Sequence, residues 1–223
     1  MLIIDRVTGL ADRVFATLAE VRAATVALAA TVSAEGRDLR AADLARLRPL
    51  LYRNLGPLVV GLGFVALPGL LPDAPWYLEW WQYDPEGPPG QFRVELDPAH
   101  PAFYDYTRWD WFAAPREGVE RSLCGPYVDY LCTDEYSLTF SMPVHAGGAF
   151  VGVVAADVFV RSFENHLLPA LKDAPSTAFV TNAAGRVIAS NTARWSGGSV
   201  FRGAPGLVAV PVGATGLSLV VAE

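Results

Sequence analysis

The chain has 223 residues, 52% of them hydrophobic and 18% charged, enough apolar material for a substantial core and too much for a disordered polymer. Its formal charge of −6 comes without any run of Arg or Lys. That excludes the clustered basic surface a nucleic-acid partner wants and suits a cationic ligand.

From the N-terminus, residues 3 to 34 read as one long helix. Val7, Val14, Val21 and Leu28 recur every seven residues, and Ala11, Leu18, Thr25 and Val32 fall four after each, the spacing of a narrow apolar stripe. Such a stripe fits either a homodimer seam or packing along the helix's own domain. Gly36 closes the helix, and Ala41 to Asn54 reads as a second one, stopped by Gly56-Pro57.

The early charges Asp5, Arg6, Asp12 and Arg13 and the alanine-rich run 23–34 do not make a secretory signal or a spanning helix. The apolar run from Leu58 to Leu71, broken by Gly61, Gly63, Pro68 and Gly69, is too short to cross a bilayer. The expectation is a cytoplasmic protein with no membrane span. An extracytoplasmic domain cut from a membrane receptor has the same appearance.

Leu58 to Tyr83 changes to strand character. Gly61, Gly63 and Ala66 match G-x-G-x-x-A, but Pro68, Gly69 and Pro72 follow where a dinucleotide site needs a helix. The glycines are expected to permit tight strand packing beneath a ligand. Trp76 to Tyr83 is aromatic on both alternating faces, and one of Trp81 and Tyr83 is a candidate pocket residue. After the turn-rich stretches at 84–90 and 97–101, strands are expected at Tyr127 to Cys132, Tyr136 to Val144 and Phe150 to Val160, the last two joined by Gly147-Gly148 as a hairpin. A short helix, Phe163 to Leu171, then precedes four strand candidates at Thr177 to Val180, Arg186 to Ser190, Leu207 to Val212 and Leu217 to Val221.

Cys124 and Cys132, at opposite ends of one expected strand, are roughly 26 Å apart in an extended chain, beyond disulfide reach. His100, His145 and His166 are scattered and form no close-spaced ligand set. No metal or cofactor is implied.

Aromatic and acidic residues are densest between Tyr104 and Asp157. There D-Y-T-R-W-D-W-F at Asp105 to Phe112 resembles the D-P-R-x-R-P-W-Y signature of Cache domains, the PAS-like ligand sensors of bacterial receptors. G-P-Y-V-D-Y, the run T-F-S-M-P-V-H-A-G-G-A-F-V-G-V-V-A-A-D-V and the long N-terminal helix are similar to the family in order and spacing. The resemblance implies an α+β fold: a long N-terminal helix, a PAS-like antiparallel sheet and a smaller C-terminal β-rich lobe. It divides the chain into N-terminal helices (1–56), a ligand-binding module (57–172) and a small membrane-proximal-like lobe (173–223).

The resemblance also implies the site. Tyr104, Trp111, Phe112, Tyr127, Asp129 and Asp157 match the family's ligand-binding tyrosine, W-[YF] pair, Y-x-D pair and later aspartate. The slot of the arginine that grips a ligand carboxylate holds Trp109, with Arg108 displaced by one, and Asp110 stands where the family has proline. An indole in place of a guanidinium removes the two-pronged anion grip and adds a face that attracts cations. The implied ligand is a biogenic or quaternary amine held by carboxylates and rings. The alternative is an amino-acid sensor in which Arg108 takes the carboxylate.

Two other functions compete. Asp129 and Asp157 could be the paired carboxylates of a hydrolase, but the chain has no G-x-S-x-G elbow and no phosphate loop. The heptad stripe alone would suit a dimerising scaffold. With no output domain in the chain, the signal of a sensor is expected to leave through a partner, such as a separate signalling protein or transcription regulator, or through a change of assembly.

Overall fold

The computed structural model describes residues 3–128 and 135–222. Helix α1 (Ile3–Ala34) takes up the whole heptad region, and the eight stripe residues are all buried within the one chain. The stripe therefore packs along the protein's own core and is not available as a dimer seam. By length and composition α1 is long and apolar enough to cross a membrane, which the sequence reading did not credit.

The second expected helix is broken in two: α2 (Ala41–Leu44) and α3 (Arg48–Asn54) are separated by a 3-10 turn at Ala45–Leu47. Pro49 lies in the first turn of α3. Its ring and missing N–H tolerate a helix start but not a helix interior.

Strands β1 (Gly61–Ala66), β2 (Leu78–Gln82), β3 (Gly90–Gln91), β4 (Ser122–Val128), β5 (Tyr136–Ala146) and β6 (Ala149–Phe159) form one sheet in the order β3-β2-β1-β6-β5-β4. Both β2 and β6 pair antiparallel with β1. The β5–β6 turn is Gly147-Gly148, both at positive φ, the backbone a two-residue hairpin turn requires. The sequence places a strand after Pro126, whereas β4 runs through it. As the last strand of the sheet, β4 has an edge where a proline costs no ladder bond. Cys132 lies outside the described residues.

The chain divides into two compact units, Phe15–Ser122 with Thr139–Asp157, and Met1–Val14 with Leu123–Leu138 and Val158–Glu223. In the first, α1 covers one face of the sheet, with Phe15 edge-on to Phe140 at 5.2 Å, while Tyr52 of α3 packs edge-on to Trp81 of β2 at 4.7 Å. In the second, helix α5 (Val160–Lys172) buries Phe163, Leu167 and Leu171 at helical spacing. Strands β7 (Ala178–Asn182), β8 (Val187–Ser190), β9 (Leu207–Pro211) and β10 (Leu217–Ala222) form an antiparallel sheet in the order β8-β7-β10-β9. The Asn191 amide donates to the carbonyls of Leu171 and Ser176, fastening the end of α5 to the approach of β7. An open cleft of about 540 Å³ beside α1 and α5 is lined by Ile3, Arg6, Pro169, Asp173 and Leu219 among others.

Candidate functional site

Strand register decides which side chains meet. Gly61 faces Asp157 on one side and Gln82 on the other, and Gly63 faces Ala155 and Trp80. Paired residues share a face of an antiparallel sheet and neighbours alternate. Asp157 and Trp80 therefore project from the same side as the two glycines, whereas Glu79 and Trp81 project from the other. Asp157, only 8% exposed, accepts a 2.6 Å hydrogen bond at Oδ1 from Thr139 Oγ1 of β5. Ser141, two residues along β5 and fully buried, is on that same face.

The Trp80 indole lies across β1 where the glycines leave room. A methyl on Gly61 would stand 3.0 Å from Trp80 Cζ2, 3.1 Å from its Nε1 and 3.0 Å from Asp157 Oδ2, and one on Gly63 would stand 2.9 Å from Trp80 Cε3. The glycines thus sit beneath an indole whose Nε1 and the Asp157 Oδ2 both border the space above Gly61. Trp80 is 5% exposed, and among the described residues its Nε1 has no hydrogen-bond partner; neither has Ser141 Oγ. Buried donors are nearly always paired, so these two stand out on this face. The G-x-G-x-x-A match lies inside a strand, where it has no helix N-terminus to offer a phosphate.

The opposite face is fully paired. The Glu79 side chain, 0% exposed, accepts from Arg48 Nε at 2.8 Å, from Tyr77 Oη at 2.8 Å and from Trp81 Nε1 at 2.6 Å. The bond to Glu79 raises the Arg48 pKa, and burial followed by the same carboxylate raises that of Tyr77. The Arg48 guanidinium also lies over the Trp81 ring, 5.2 Å from its centroid.

The sequence-derived residues separate accordingly. Trp81 belongs to the Glu79 cluster and faces away from Asp157, so these two do not line one hollow; the ring beside Asp157 is Trp80. Tyr83 is half-buried past the end of β2, its backbone N–H bonded to the Val60 carbonyl. Trp111 and Phe112 are buried on helix α4 (Asp110–Arg116), while Trp109 (44% exposed) precedes that helix and Asp110 opens it, exposed. Tyr104 is half-buried, its ring centroid 6.5 Å from that of Trp109. Tyr127 is half-buried on β4, and Asp129 lies outside the described residues.

Arg108 donates to Asp105 Oδ2 at 2.8 Å and its side chain is 84% exposed. It points to solvent, not into a pocket.

Tyr106, which sequence reasoning passed over, anchors the aromatic segment. Fully buried, it donates from Oη to the Ala66 carbonyl at 2.8 Å, and its ring packs on Trp76 at 5.0 Å and Phe112 at 5.3 Å. Burial pushes its pKa up to about 12. Thr139 was a findable partner for Asp157: the two are equidistant from Gly148 in the hairpin.

This arrangement of a long helix on an antiparallel sheet followed by a smaller sheet is the α+β fold of PDC, or Cache, sensor domains. Methyl-accepting chemotaxis protein X superposes with a TM-score of 0.70 over 99% of this chain and 93% of its own, at 13% identity. The ligand-binding domain of the Pseudomonas aeruginosa amino acid chemoreceptor PctC, in complex with GABA, gives 0.61 over 99% and 94%, at 18% identity. An extracellular domain assigned to the histidine kinase mmHK1S-Z3 gives 0.57 over 90% and 86%, at 16% identity. Residues 93–165 match the family model of the methyl-accepting chemotaxis protein-like first PDC sensor domain. No curated protein matches the sequence. The expectation of a cytoplasmic protein finds no support here, since one of these folds is an extracellular domain.

Proposed function

We propose that the protein is a ligand-sensing domain, not an enzyme, and that it recognises a small amine on the Asp157 face of its sheet. The observation that carries this reading is the buried Asp157 carboxylate beside an indole N–H with no acceptor, over a strand whose glycines leave room for both. A buried carboxylate attracts a positive group, and an ammonium supplies both charge and donors. Trp111, Phe112 and Tyr104 are assigned as its aromatic walls on the family resemblance. The roles of Tyr127, Asp129, Trp109 and Asp110 rest on the family resemblance alone.

Arg108, turned outward onto Asp105, gives a ligand carboxylate no grip, which favours amines over their amino-acid counterparts. The structurally similar PctC domain is in complex with GABA, which carries an ammonium as well as a carboxylate, so it supports recognition of the nitrogen and not the preference against a carboxylate. The similarity to an extracellular domain and the chemotaxis family match support a place outside the membrane and a signalling partner that reads the bound state. Recognition is assigned to residues 57–172.

A thermal-shift series pairing ethanolamine with serine, putrescine with ornithine and histamine with histidine tests the reading. A true ligand at a hundredfold excess over its dissociation constant stabilises by about 2.7 kcal/mol. The expected result is stabilisation by at least one amine and not by its carboxylated partner. Stabilisation by amino acids alone, or turnover of any of these compounds, contradicts it.

A further inference from the structure

We infer that Trp80 is a specificity-determining residue of this site: its indole Nε1–H donates to an uncharged oxygen that the bound amine carries close to its nitrogen, so that the ligand class is amino alcohols and not plain alkylamines. This rests on the amine reading above and adds a second point of recognition to it.

Three observations converge. The Trp80 Nε1 is buried and has no acceptor among the described residues, so a polar ligand atom satisfies a donor whose isolation is otherwise costly. Its position is fixed by the glycine strand: Nε1 and Asp157 Oδ2 flank one point above Gly61, 3.1 and 3.0 Å away. The two atoms are therefore no more than about 6 Å apart, a span that a ligand bridges with a nitrogen and an oxygen on adjacent carbons, each at hydrogen-bond distance from its partner. Third, the Asp157 oxygen beside Gly61 is Oδ2, whereas Thr139 donates to Oδ1.

The oxygen is uncharged because one neutral N–H is a poor match for a carboxylate held beside Asp157. Like charges brought together in a buried site repel strongly, and Arg108 is turned away. A hydroxyl accepts the indole proton without that penalty. Trp80 is absent from the motif residues that suggested the site, and only the β1–β2 register puts it there.

Ethanolamine and n-propylamine, which differ by an oxygen in place of a methyl, test this by calorimetry on wild type and Trp80→Phe. One neutral hydrogen bond is worth about threefold to tenfold in affinity. Wild type is expected to prefer ethanolamine by that factor, and Trp80→Phe to bind both amines about as wild type binds n-propylamine. Equal binding of the two amines by wild type overturns the inference while leaving the amine reading intact; so does a preference that survives Trp80→Phe. An equal loss for both amines in the variant also overturns it, because Trp80 would then only hold Asp157 in place. Binding of neither amine by wild type brings down the amine reading and this inference together. Should Trp80→Phe fail to fold, the indole N–H signals of the six tryptophans in wild-type NMR spectra decide: one signal must move with ethanolamine and stay with n-propylamine, and its failure to do so overturns the inference.

Discussion

The two faces of the larger unit's sheet each bury a carboxylate, and they treat it differently. On the helix-covered face Glu79 is met by Arg48, Tyr77 and Trp81, whose donors all come from the protein. On the other face Asp157 is held by Thr139, while the neighbouring Trp80 Nε1 and Ser141 Oγ lack partners among the described residues. A completed ion pair fixes structure, because each charge is answered at the moment of folding. On the proposed reading, the Trp80 and Ser141 donors beside Asp157 await a partner that arrives later.

The comparison is tested most severely by removing the Glu79 counter-charge. Arg48→Met leaves a fully buried carboxylate unpaired and should cost about 3–5 kcal/mol of stability in denaturant melts, with ligand affinity unchanged in whatever fraction stays folded. A small loss would mean that the Glu79 face is not locked as described.

Gly63→Ala comes next. Its methyl would run into the Glu79 carbonyl oxygen, backbone that cannot step aside, and the expected cost is about 1–3 kcal/mol in the same melts.

Alkaline pH probes the buried phenols. The unfolded chain releases its tyrosine protons near pH 10, whereas Tyr106 keeps its own up to about 12 and Tyr77 is raised as well. The folded state then holds more protons than the unfolded one in that window, so stability falls as pH rises through it. The expected slope is at most about 1.4 kcal/mol per pH unit for each tyrosine, read from urea melts at stepped pH.

The smallest effect on stability belongs to Asp157→Asn, which keeps an oxygen for Thr139 and should change unfolding free energy by less than about 1 kcal/mol. The same change should weaken amine binding by at least about tenfold, the worth of a hydrogen bond to a charged group. A carboxylate that mattered only to structure would give the reverse pattern.

Much of the fold was legible because its signals are local. The heptads gave α1, and Gly147-Gly148 with its apolar flanks gave the hairpin. What escaped depended on partners distant in sequence. Trp76 to Tyr83 carries rings on both alternating faces, so nothing within the segment says whether Trp80 or Trp81 stands beside Asp157; pairing with β1 says it. Trp109 and Asp110 adjoin two buried rings yet are exposed, because α4 begins between them and turns successive side chains in different directions. Pro126 read as a strand boundary since its tolerance on an edge strand depends on the order of the whole sheet.

A crystal structure of the protein grown with whichever amine stabilises it most is the direct test. The account predicts the amine nitrogen within about 2.7–3.2 Å of the Asp157 carboxylate, on the side of the sheet that carries Trp80 and the β1 glycines. An amine bound instead in the cleft beside Arg6, Pro169 and Leu219, with nothing against Asp157, would contradict it.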